Sequence, residues 1–176
     1  RAALARREMD LAPDDRRLMG RYLGRLHRLG AAGTFRHRRR LTIDEFGTKP
    51  LAFLQEGGFV PDELRAAYVP TAQTLLNAVT ERFAEAGSVA AIRLHGDFHL
   101  GNVLWTDTGP HIVDFDDCMT GPAVQDLWML LSGERDETEP QLADLLDGYS
   151  EFMEFNPAEL RLIEALRSLR LLHYSA

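Results

Sequence analysis

Two short segments joined by a turn constrain the fold of this chain more than any other feature. The first, residues 94–105, reads LHGDFHLGNVLW, and the second, residues 111–117, reads HIVDFDD. Residues 107–110 between them read DTGP, a composition typical of a tight turn. Short apolar runs bounded by turn residues are typical of strands. We therefore predict a β-hairpin whose strands cover residues 102–106 and 111–115.

Three polar side chains lie at or next to the ends of this hairpin. Asn102 begins the first strand and Asp114 lies near the end of the second, so antiparallel pairing makes them neighbours in space. Mg²⁺ takes a few carboxylate or amide oxygens from a protein, and phosphates and water complete its shell. Asp97 precedes Asn102 at the spacing at which kinases place the carboxylate that receives the acceptor's proton. The pattern predicts a phosphotransfer site that uses Mg²⁺ and ATP, with Asn102 and Asp114 as metal ligands and Asp97 as the proton acceptor or hydroxyl-orienting group.

Helical patterns account for most of the remaining chain, which predicts an α+β, predominantly helical fold. The first helix is predicted over residues 10–30. Its expected inner face contains Leu18, Tyr22, Leu26 and Leu29, and Met19 and Leu23 widen this stripe. Pro70 is expected to interrupt the helix that opens near residue 61, because proline lacks an amide donor. A strand is predicted over residues 89–94. Further helices are predicted over residues 44–56, from Pro70 to about Ala86, and over residues 121–131, 138–154 and 157 onward.

Residues 121–131 are apolar on nearly every side, which predicts a buried helix, and Asp126 lies inside it. A buried carboxylate needs hydrogen-bond partners. One interpretation is an isolated structural hydrogen bond. The other is that Asp126 accepts backbone donors from residues 95–99 and fixes the shape of that loop.

Composition and charge exclude several classes of protein. The net charge of −7 argues against nucleic acid as the main partner. The basic run over residues 36–40 could contact phosphate or nucleic acid, and a solvated loop is the favoured interpretation. Cys118 is the only cysteine, so no internal disulfide can form. No apolar run approaches the length of a membrane span, and no signal-peptide pattern is present. We expect a monomeric, cytoplasmic protein without a membrane or nucleic-acid partner.

The central motifs resemble those of a known superfamily. The pattern H-G-D-F-H-x-x-N over residues 95–102, followed by V-D-F-D over residues 113–116, is similar to that of the aminoglycoside phosphotransferase/choline kinase superfamily. Three further stretches extend the resemblance toward a branch of bacterial stress-response kinases, namely residues 20–27, 121–131 and 166–170. The resemblance implies a protein-kinase-like fold, of which residues 1–176 would form the C-terminal lobe, with the hairpin carrying the catalytic loop.

The same resemblance implies roles for individual residues. Asp97 would be the catalytic base, Asp114 a second catalytic residue that also binds Mg²⁺, and Asn102 the other metal ligand. The residues placed against ATP would be His99, Leu104 and Val113. His95 would pack against the Asp114 turn. The acceptor would be a serine or threonine of a protein in a stress response, or, in the alternative branch, a small hydroxylated molecule of the homoserine, choline or aminoglycoside type.

The chain departs from protein kinases in several places. Asp116 stands where those enzymes have the glycine of D-F-G, and only six residues separate Asp114 from Gly121, too few for a long activation loop. No glycine-rich phosphate loop occurs, and Lys49, the only lysine, precedes Pro50 in an expected loop. The N-terminal lobe is therefore expected to be absent and the chain to be a piece of a longer protein, truncated at both ends. Alone, it is expected to bind Mg-ATP poorly and to transfer no measurable phosphate.

Two alternatives come from other functional classes. His95, Asp97 and His99 alternate, and Asp114 could complete a Zn²⁺ or Mn²⁺ site of a metal-dependent hydrolase. That alternative leaves Asn102 without a role. The other alternative is a helical scaffold that keeps a kinase-like fold to bind partners, and the joint presence of Asp97, Asn102 and Asp114 argues against it.

Overall fold

Helices dominate the fold, and two small antiparallel sheets accompany them. A computed structural model describes residues 4–5 and 11–176 of the chain. The helices are α1 (Pro13–Gly30), α2 (Lys49–Glu56), α3 (Asp62–Ala86), α4 (Val124–Trp128), α5 (Arg135–Ser150) and α6 (Ile163–Ser175). The strands are β1 (Leu4–Ala5), β2 (Ile92–Leu94), β3 (Val103–Thr106), β4 (Gly109–Ile112) and β5 (Met119–Gly121). Across the described residues, no helix is both long and apolar enough to cross a membrane. The predicted α+β, predominantly helical class is confirmed.

The chain divides into two compact units. The first comprises Arg1–Arg38 and Ala90–Asn156, and the second comprises Arg39–Val89 and Pro157–Ala176. The first unit contains both sheets together with α1, α4 and α5, and the second contains α2, α3 and α6. Every residue predicted to bind metal, nucleotide or acceptor lies in the first unit.

The predicted hairpin is present, and its second strand differs from the prediction. Strands β3 and β4 pair in antiparallel register, with Val103 opposite Ile112, and only Asp107 and Thr108 form the turn. Pro110, predicted in the turn, lies in β4. Strand β4 is at the edge of the sheet order β1-β3-β4, where the missing amide donor of proline breaks no ladder.

A second sheet forms from β2 and β5, and the sequence did not predict this pair. Strand β2 is shorter than the strand predicted over residues 89–94, and Arg93 within it lies opposite Thr120. The pairing takes Gly121 out of the predicted helix over residues 121–131, which leaves the short helix α4. Strand β2 ends directly before the loop that carries Asp97, so the second sheet fixes where that loop begins.

Helix α1 packs against α5 more closely than the sequence pattern indicates. The buried residues of α1 are Met19, Gly20, Leu23, Gly24, His27 and Gly30. Leu29, predicted inside, is 75% exposed. A Cβ atom at Gly20 would lie 2.0 Å from the carbonyl oxygen of Leu145 in α5. Met19 and Leu23, which widened the predicted stripe, are buried as expected. Glycines, which give no apolar signal, line the rest of the contact, so the buried face is shifted away from Leu29.

Gly148 on α5 provides a test of this close contact. A Cβ atom at this position would lie 1.9 Å from the carbonyl oxygen of Arg17. Glycine to alanine within a helix is otherwise stabilising by about 1 kcal/mol. We expect Gly148→Ala to lower the free energy of unfolding by about 1–3 kcal/mol, because the helices must move apart. Urea unfolding measures this, with the exposed Ser150→Ala as control, and a gain in stability would contradict the contact.

Helix α3 runs without a break over Asp62–Ala86, so the predicted interruption at Pro70 is wrong. Pro70 is exposed, whereas Ala72, Leu76 and Val79 of the same helix are buried. Tertiary packing of that apolar face contributes more to helix stability than intrinsic propensity does. The missing amide donor of Pro70 therefore falls on the solvent side of a helix that is held by its other face.

The helix predicted over residues 44–56 is a π-helical turn, Asp44–Thr48, followed by α2. Lys49 begins α2, so its predicted position in a loop is wrong. Its ammonium group pairs with Glu45 and, at 3.1 Å, with Asp44. These carboxylates raise the pKa of Lys49 above its ordinary value. The only lysine of the chain is thus engaged by its own helical segment.

Two further helices differ from their predicted bounds. Helix α5 begins before residue 138, because Glu134 and Glu137 form a capping box in which the side chain of each accepts the backbone amide of the other. It ends at Ser150, before residue 154. The chain over Pro157–Leu162 forms a 3₁₀ helix, so α6 begins later than predicted.

Candidate active site

A buried carboxylate holds the start of the Asp97 loop, which we define as residues 95–102 between β2 and β3. Asp126 in α4 is fully buried. Its Oδ2 accepts the amide of His95 at 2.9 Å, and its Oδ1 accepts the amide of Gly96 at 2.8 Å. Hydrogen bonds to an ionised carboxylate are roughly twice as strong as neutral ones. The predicted contact from Asp126 to this loop is confirmed.

Gln125 adds a further bond to the same point of the loop. Its Nε2 donates to the carbonyl of Gly96 at 3.2 Å, and its Oε1 accepts Nε1 of Trp128 at 3.1 Å. Gly96 has φ +90°, a conformation that favours glycine, and a Cβ atom there would lie 2.3 Å from the carbonyl oxygen of Asp117. Both peptide groups of Gly96 are therefore fixed, and with them the direction in which the chain reaches Asp97.

His27 in α1 completes this network, and the sequence reasoning missed it. Its Nε2 lies 3.0 Å from Oδ2 of Asp126, and its Nδ1 lies 3.1 Å from the hydroxyl of Tyr149 in α5. All three residues are fully buried. Because a carboxylate oxygen only accepts, Nε2 of His27 carries a proton and donates it. The only signal in the sequence was a histidine within a helical pattern, since its partner lies 99 residues away.

The backbone of Asp97 holds Asn102 beside the Asp97 carboxylate. The carbonyl oxygen of Asp97 accepts the amide of His99 at 3.0 Å and Nδ2 of Asn102 at 2.9 Å. The same Nδ2 lies 3.5 Å from Oδ2 of Asp97, whose side chain is 16% exposed. Since Nδ2 of Asn102 is the atom that donates here, its Oδ1 is the atom that remains for a cation.

His99 approaches the Asp97 carboxylate from within the same loop. Its Nδ1 accepts the amide of Gly101 at 2.9 Å. The proton of the neutral ring is therefore on Nε2, and Nε2 lies 3.4 Å from Oδ2 of Asp97. The ring thus presents an N–H group to the carboxylate that is expected to receive the acceptor's proton.

Asp114 follows the hairpin in an unusual backbone conformation. Its φ is +63°, and within the described ranges no other non-glycine residue has a positive φ. Aspartate tolerates this region better than most residues, and such strain is frequent at functional sites. The preceding Val113 donates its amide to the carbonyl of Asn102 at 3.0 Å. The hairpin therefore brings the exposed Asp114 next to Asn102, as antiparallel pairing predicts.

Leu104 and Val113 lie on the hairpin face that is turned away from the core. Val103 is part of the buried core, and Ile112, its partner across the hairpin, packs against that core. Side chains alternate between the faces of a strand, so Leu104 and Val113 project to the other side, where both are half-buried. This face carries the two apolar residues that the resemblance places under ATP.

The donor set does not support the metal-dependent hydrolase. In the part of the chain that the structure describes, no group of three or more histidine, cysteine, aspartate or glutamate residues is placed to hold a metal ion. His95 is fully buried, its Nε2 donates to the carbonyl of Val113 at 2.9 Å, and its ring centroid lies 4.7 Å from that of Phe115. Asn102 and Asp114 offer one amide oxygen and one carboxylate, a share that suits Mg²⁺ when phosphates complete its shell.

Comparison with known proteins identifies the family. A sequence profile described as the phosphotransferase enzyme family matches residues 2–163. Stress response kinase A of Escherichia coli is 44% identical over 163 residues, which are 93% of this chain and 49% of that protein. Serine/threonine protein kinase RdoA of Salmonella typhimurium matches with the same identity and the same coverage. The chain spans about half the length of the curated relatives it matches.

Solved structures of low sequence identity share the fold. An amicoumacin kinase in complex with AMP-PNP, Ca²⁺ and Ami has a TM-score of 0.71 at 18% identity, covering 97% of this chain and 52% of that chain. A microcompartment-associated aminopropanol kinase has a TM-score of 0.60 at 20% identity, covering 94% of this chain and 54% of that chain. These matches confirm the predicted kinase-like fold.

The profile covers nearly the whole chain, and the curated relatives align with almost all of it. The resemblance drawn from residues 95–102 and 113–116 is confirmed, together with its narrower stress-response branch. The chain belongs to the phosphotransferase enzyme family.

Proposed function

We propose that residues 1–176 form the C-terminal lobe of a kinase that transfers the γ-phosphate of ATP to serine or threonine of a protein. The observation that carries the proposal is the joint placement of Asp97, Asn102 and Asp114. Asn102 binds the Asp97 carbonyl through Nδ2 at 2.9 Å and the amide before Asp114 through its own carbonyl at 3.0 Å. One short loop and one hairpin thus present a carboxylate for proton transfer and two oxygen donors for a cation.

The residues present fit Mg²⁺. Asn102 donates to the Asp97 carbonyl through Nδ2, so its Oδ1 remains as an acceptor for a cation. Asp114 is exposed. When bound, Mg²⁺ would neutralise phosphate charge, which is its usual part in phosphoryl transfer. The strained backbone of Asp114, with φ +63°, follows Val113, whose amide and carbonyl are both hydrogen-bonded, so the backbone that carries the carboxylate is anchored beside Asn102.

Asp97 is proposed to orient the acceptor hydroxyl and to take its proton. In the transfer, the hydroxyl oxygen bonds to the γ-phosphorus, the bond from that phosphorus to the β–γ bridging oxygen breaks, and the hydroxyl proton passes to the Asp97 carboxylate. The N–H of His99 at 3.4 Å keeps a hydrogen-bond donor beside that carboxylate. Leu104 and Val113 are proposed to supply the apolar surface under the adenine ring.

Two acceptor classes have support. A protein acceptor is supported by the relative named as a serine/threonine protein kinase, and a role in a stress response by the relatives named as stress response kinases. A small hydroxylated acceptor is the second candidate, because the similar structures are named as an amicoumacin kinase and an aminopropanol kinase. Sequence identity favours the protein acceptor, since it is 44% to the former relatives and 18–20% to the latter structures.

The test uses a full-length enzyme of the relatives' size that contains this chain. Labelled γ-phosphate of ATP is offered with protein substrates and with small alcohols in parallel reactions. Label on serine or threonine of a protein supports the proposal. Label on small alcohols alone would support the second acceptor class and leave the proposed phosphate transfer from ATP unchanged. No transfer to either acceptor would overturn the proposed function.

Removing either proposed metal ligand should raise the Mg²⁺ concentration that the enzyme requires. We expect Asn102→Ala and Asp114→Ala to raise half-saturation by Mg²⁺ at least about tenfold, since even indirect partners of metal ligands contribute on that scale. A Mg²⁺ titration of phosphate transfer at constant ATP measures the shift. Asp136→Asn, an exposed carboxylate in the first turn of α5, is the control. An unchanged Mg²⁺ requirement in both alanine variants would remove these residues from the metal site.

A further inference from the structure

We propose that the basic segment, defined as Arg36, His37 and Arg38, binds carboxylates that flank the phosphorylated residue, so that the preferred acceptor is an acidic segment of a protein. The inference rests on the proposed function and names the substrate class of the same site. It starts from the basic run over residues 36–40, for which the sequence favoured a solvated loop over contact with phosphate or nucleic acid.

The basic segment lies beside the Asp97 loop. A nitrogen of the Arg38 guanidinium donates to the backbone carbonyl of Asp116. The carbonyl of the next residue, Asp117, is the atom that a Cβ on Gly96 would approach to 2.3 Å. Gly96 directly precedes Asp97, so a short path of backbone contacts joins Arg38 to the proposed catalytic base. The basic segment and the residue before Asp97 thus approach two consecutive carbonyls, those of Asp116 and Asp117, and the inference is that residues flanking an acceptor hydroxyl at Asp97 reach the basic segment.

The start of the basic segment is anchored to the second sheet. The amide of Phe35 donates to the hydroxyl oxygen of Thr120 at 3.2 Å, and Thr120 is buried in β5. The guanidinium of Arg93, in β2, lies 5.9 Å from the centre of the Phe35 ring. These contacts hold the residue directly before Arg36, which reduces the conformational entropy that the segment would lose on binding a ligand.

Among the residues that the structure describes, no carboxylate forms an ion pair with the basic segment. Arg36 and His37 are exposed and, within the described ranges 4–5 and 11–176, have no hydrogen-bond or ion-pair partner. Arg38 binds a carbonyl, which does not neutralise its charge. Burial raises the pKa of the Cys118 thiol, and the charge of Arg38 opposes that increase. By contrast, three arginines of α1 are paired with carboxylates of α5 or the residue after it, namely Arg16, Arg17 and Arg21.

The surroundings favour separate carboxylates over a continuous polyanion. A guanidinium group matches a carboxylate with two parallel hydrogen bonds. Asp116, whose carbonyl accepts from Arg38, and its neighbour Asp117 are exposed, and their carboxylates would repel the evenly charged backbone of a nucleic acid. The net charge of −7 acts in the same direction. Carboxylates that are spaced along a peptide can meet the arginines and avoid these acids.

A binding measurement tests the inference independently of catalysis. Fluorescence anisotropy with the full-length enzyme compares three probes: a serine peptide flanked by Asp and Glu, the same peptide flanked by Lys, and a single-stranded RNA of similar length. We expect the acidic peptide to bind at least about tenfold more tightly than the Lys-flanked one, with weaker binding at higher salt. Arg36→Glu and Arg38→Glu should reduce or reverse that preference. Arg28→Glu, an exposed position on α1, is the matched control.

The outcomes separate this inference from the proposed function. Since Arg36 has no partner in the described structure, Arg36→Glu tests its charge even if Arg38→Glu disturbs the bond to Asp116. Equal binding of both peptides, or a preference that survives Arg36→Glu, would overturn the inference while protein phosphorylation could still stand. Tighter binding of RNA than of the acidic peptide would also overturn it. Preferential binding of the acidic peptide without any phosphate transfer would support the inference as a binding surface and contradict the proposed function.

Discussion

Asp97→Asn is expected to lower the rate of phosphate transfer by about 100- to 10,000-fold, the range that a general acid or base contributes. The substitution keeps the shape of the side chain and removes its capacity to take a proton. The hydrogen bonds that shape the loop at this point use the backbone carbonyl of Asp97, which accepts from His99 and from Asn102. The loss should therefore appear in kcat, with the fold intact.

Two controls isolate the chemical role of Asp97. The free energy of unfolding of Asp97→Asn should fall by about 1 kcal/mol or less, because the donors of His99 and Asn102 lie as far as 3.4 and 3.5 Å from the carboxylate. Asp136→Asn makes the same chemical change at an exposed position in α5 and should leave the rate unchanged. A full-length Asp97→Asn enzyme that kept most of its rate would remove Asp97 from the role of base and leave only a positioning role for its backbone.

The parts of the site that the sequence predicted are encoded locally. Asn102 and Asp114 are brought together by one hairpin, and its turn residues Asp107 and Thr108 are typical turn formers. Asp97 and Asn102 lie in one loop, so their spacing in the sequence predicts that they are neighbours without any long-range contact. Reasoning from short segments succeeds where a short segment alone determines the geometry.

The parts that the sequence did not predict depend on contacts between distant segments. His27 meets Asp126 across 99 residues, and no local pattern indicates that pairing. Strand β5 forms because β2 is available as a partner, whereas the local sequence predicted that Gly121 begins a helix. The inner face of α1 was predicted correctly at Met19 and Leu23 and wrongly at Leu29, because glycines, which give no apolar signal, let α5 approach. Tertiary packing also keeps α3 helical at Pro70, although proline disfavours a helix interior.

Asp126→Asn is expected to lower the free energy of unfolding by about 3–5 kcal/mol, because removal of one partner from a buried charged network leaves the others unsatisfied. Oδ2 of Asp126 accepts from the amide of His95 and from Nε2 of His27, and Oδ1 accepts from the amide of Gly96. An asparagine side chain has one oxygen, so one of these buried donors must face an NH₂ group instead of an acceptor. Domains of this kind are stable by about 5–15 kcal/mol in total, so the loss would be a large fraction.

Urea unfolding followed by tryptophan fluorescence measures this loss, since Trp128 lies in the same helix as Asp126. Asp144→Asn is the matched control, because that carboxylate is paired with Arg16 and Arg17 at a partly exposed position where ion pairs contribute about 1 kcal/mol or less. In a full-length enzyme, Asp126→Asn should also lower kcat, because the peptide groups before Asp97 lose their anchor. A loss of stability no larger than that of the control would mean that Gln125 and the second sheet hold the loop without Asp126.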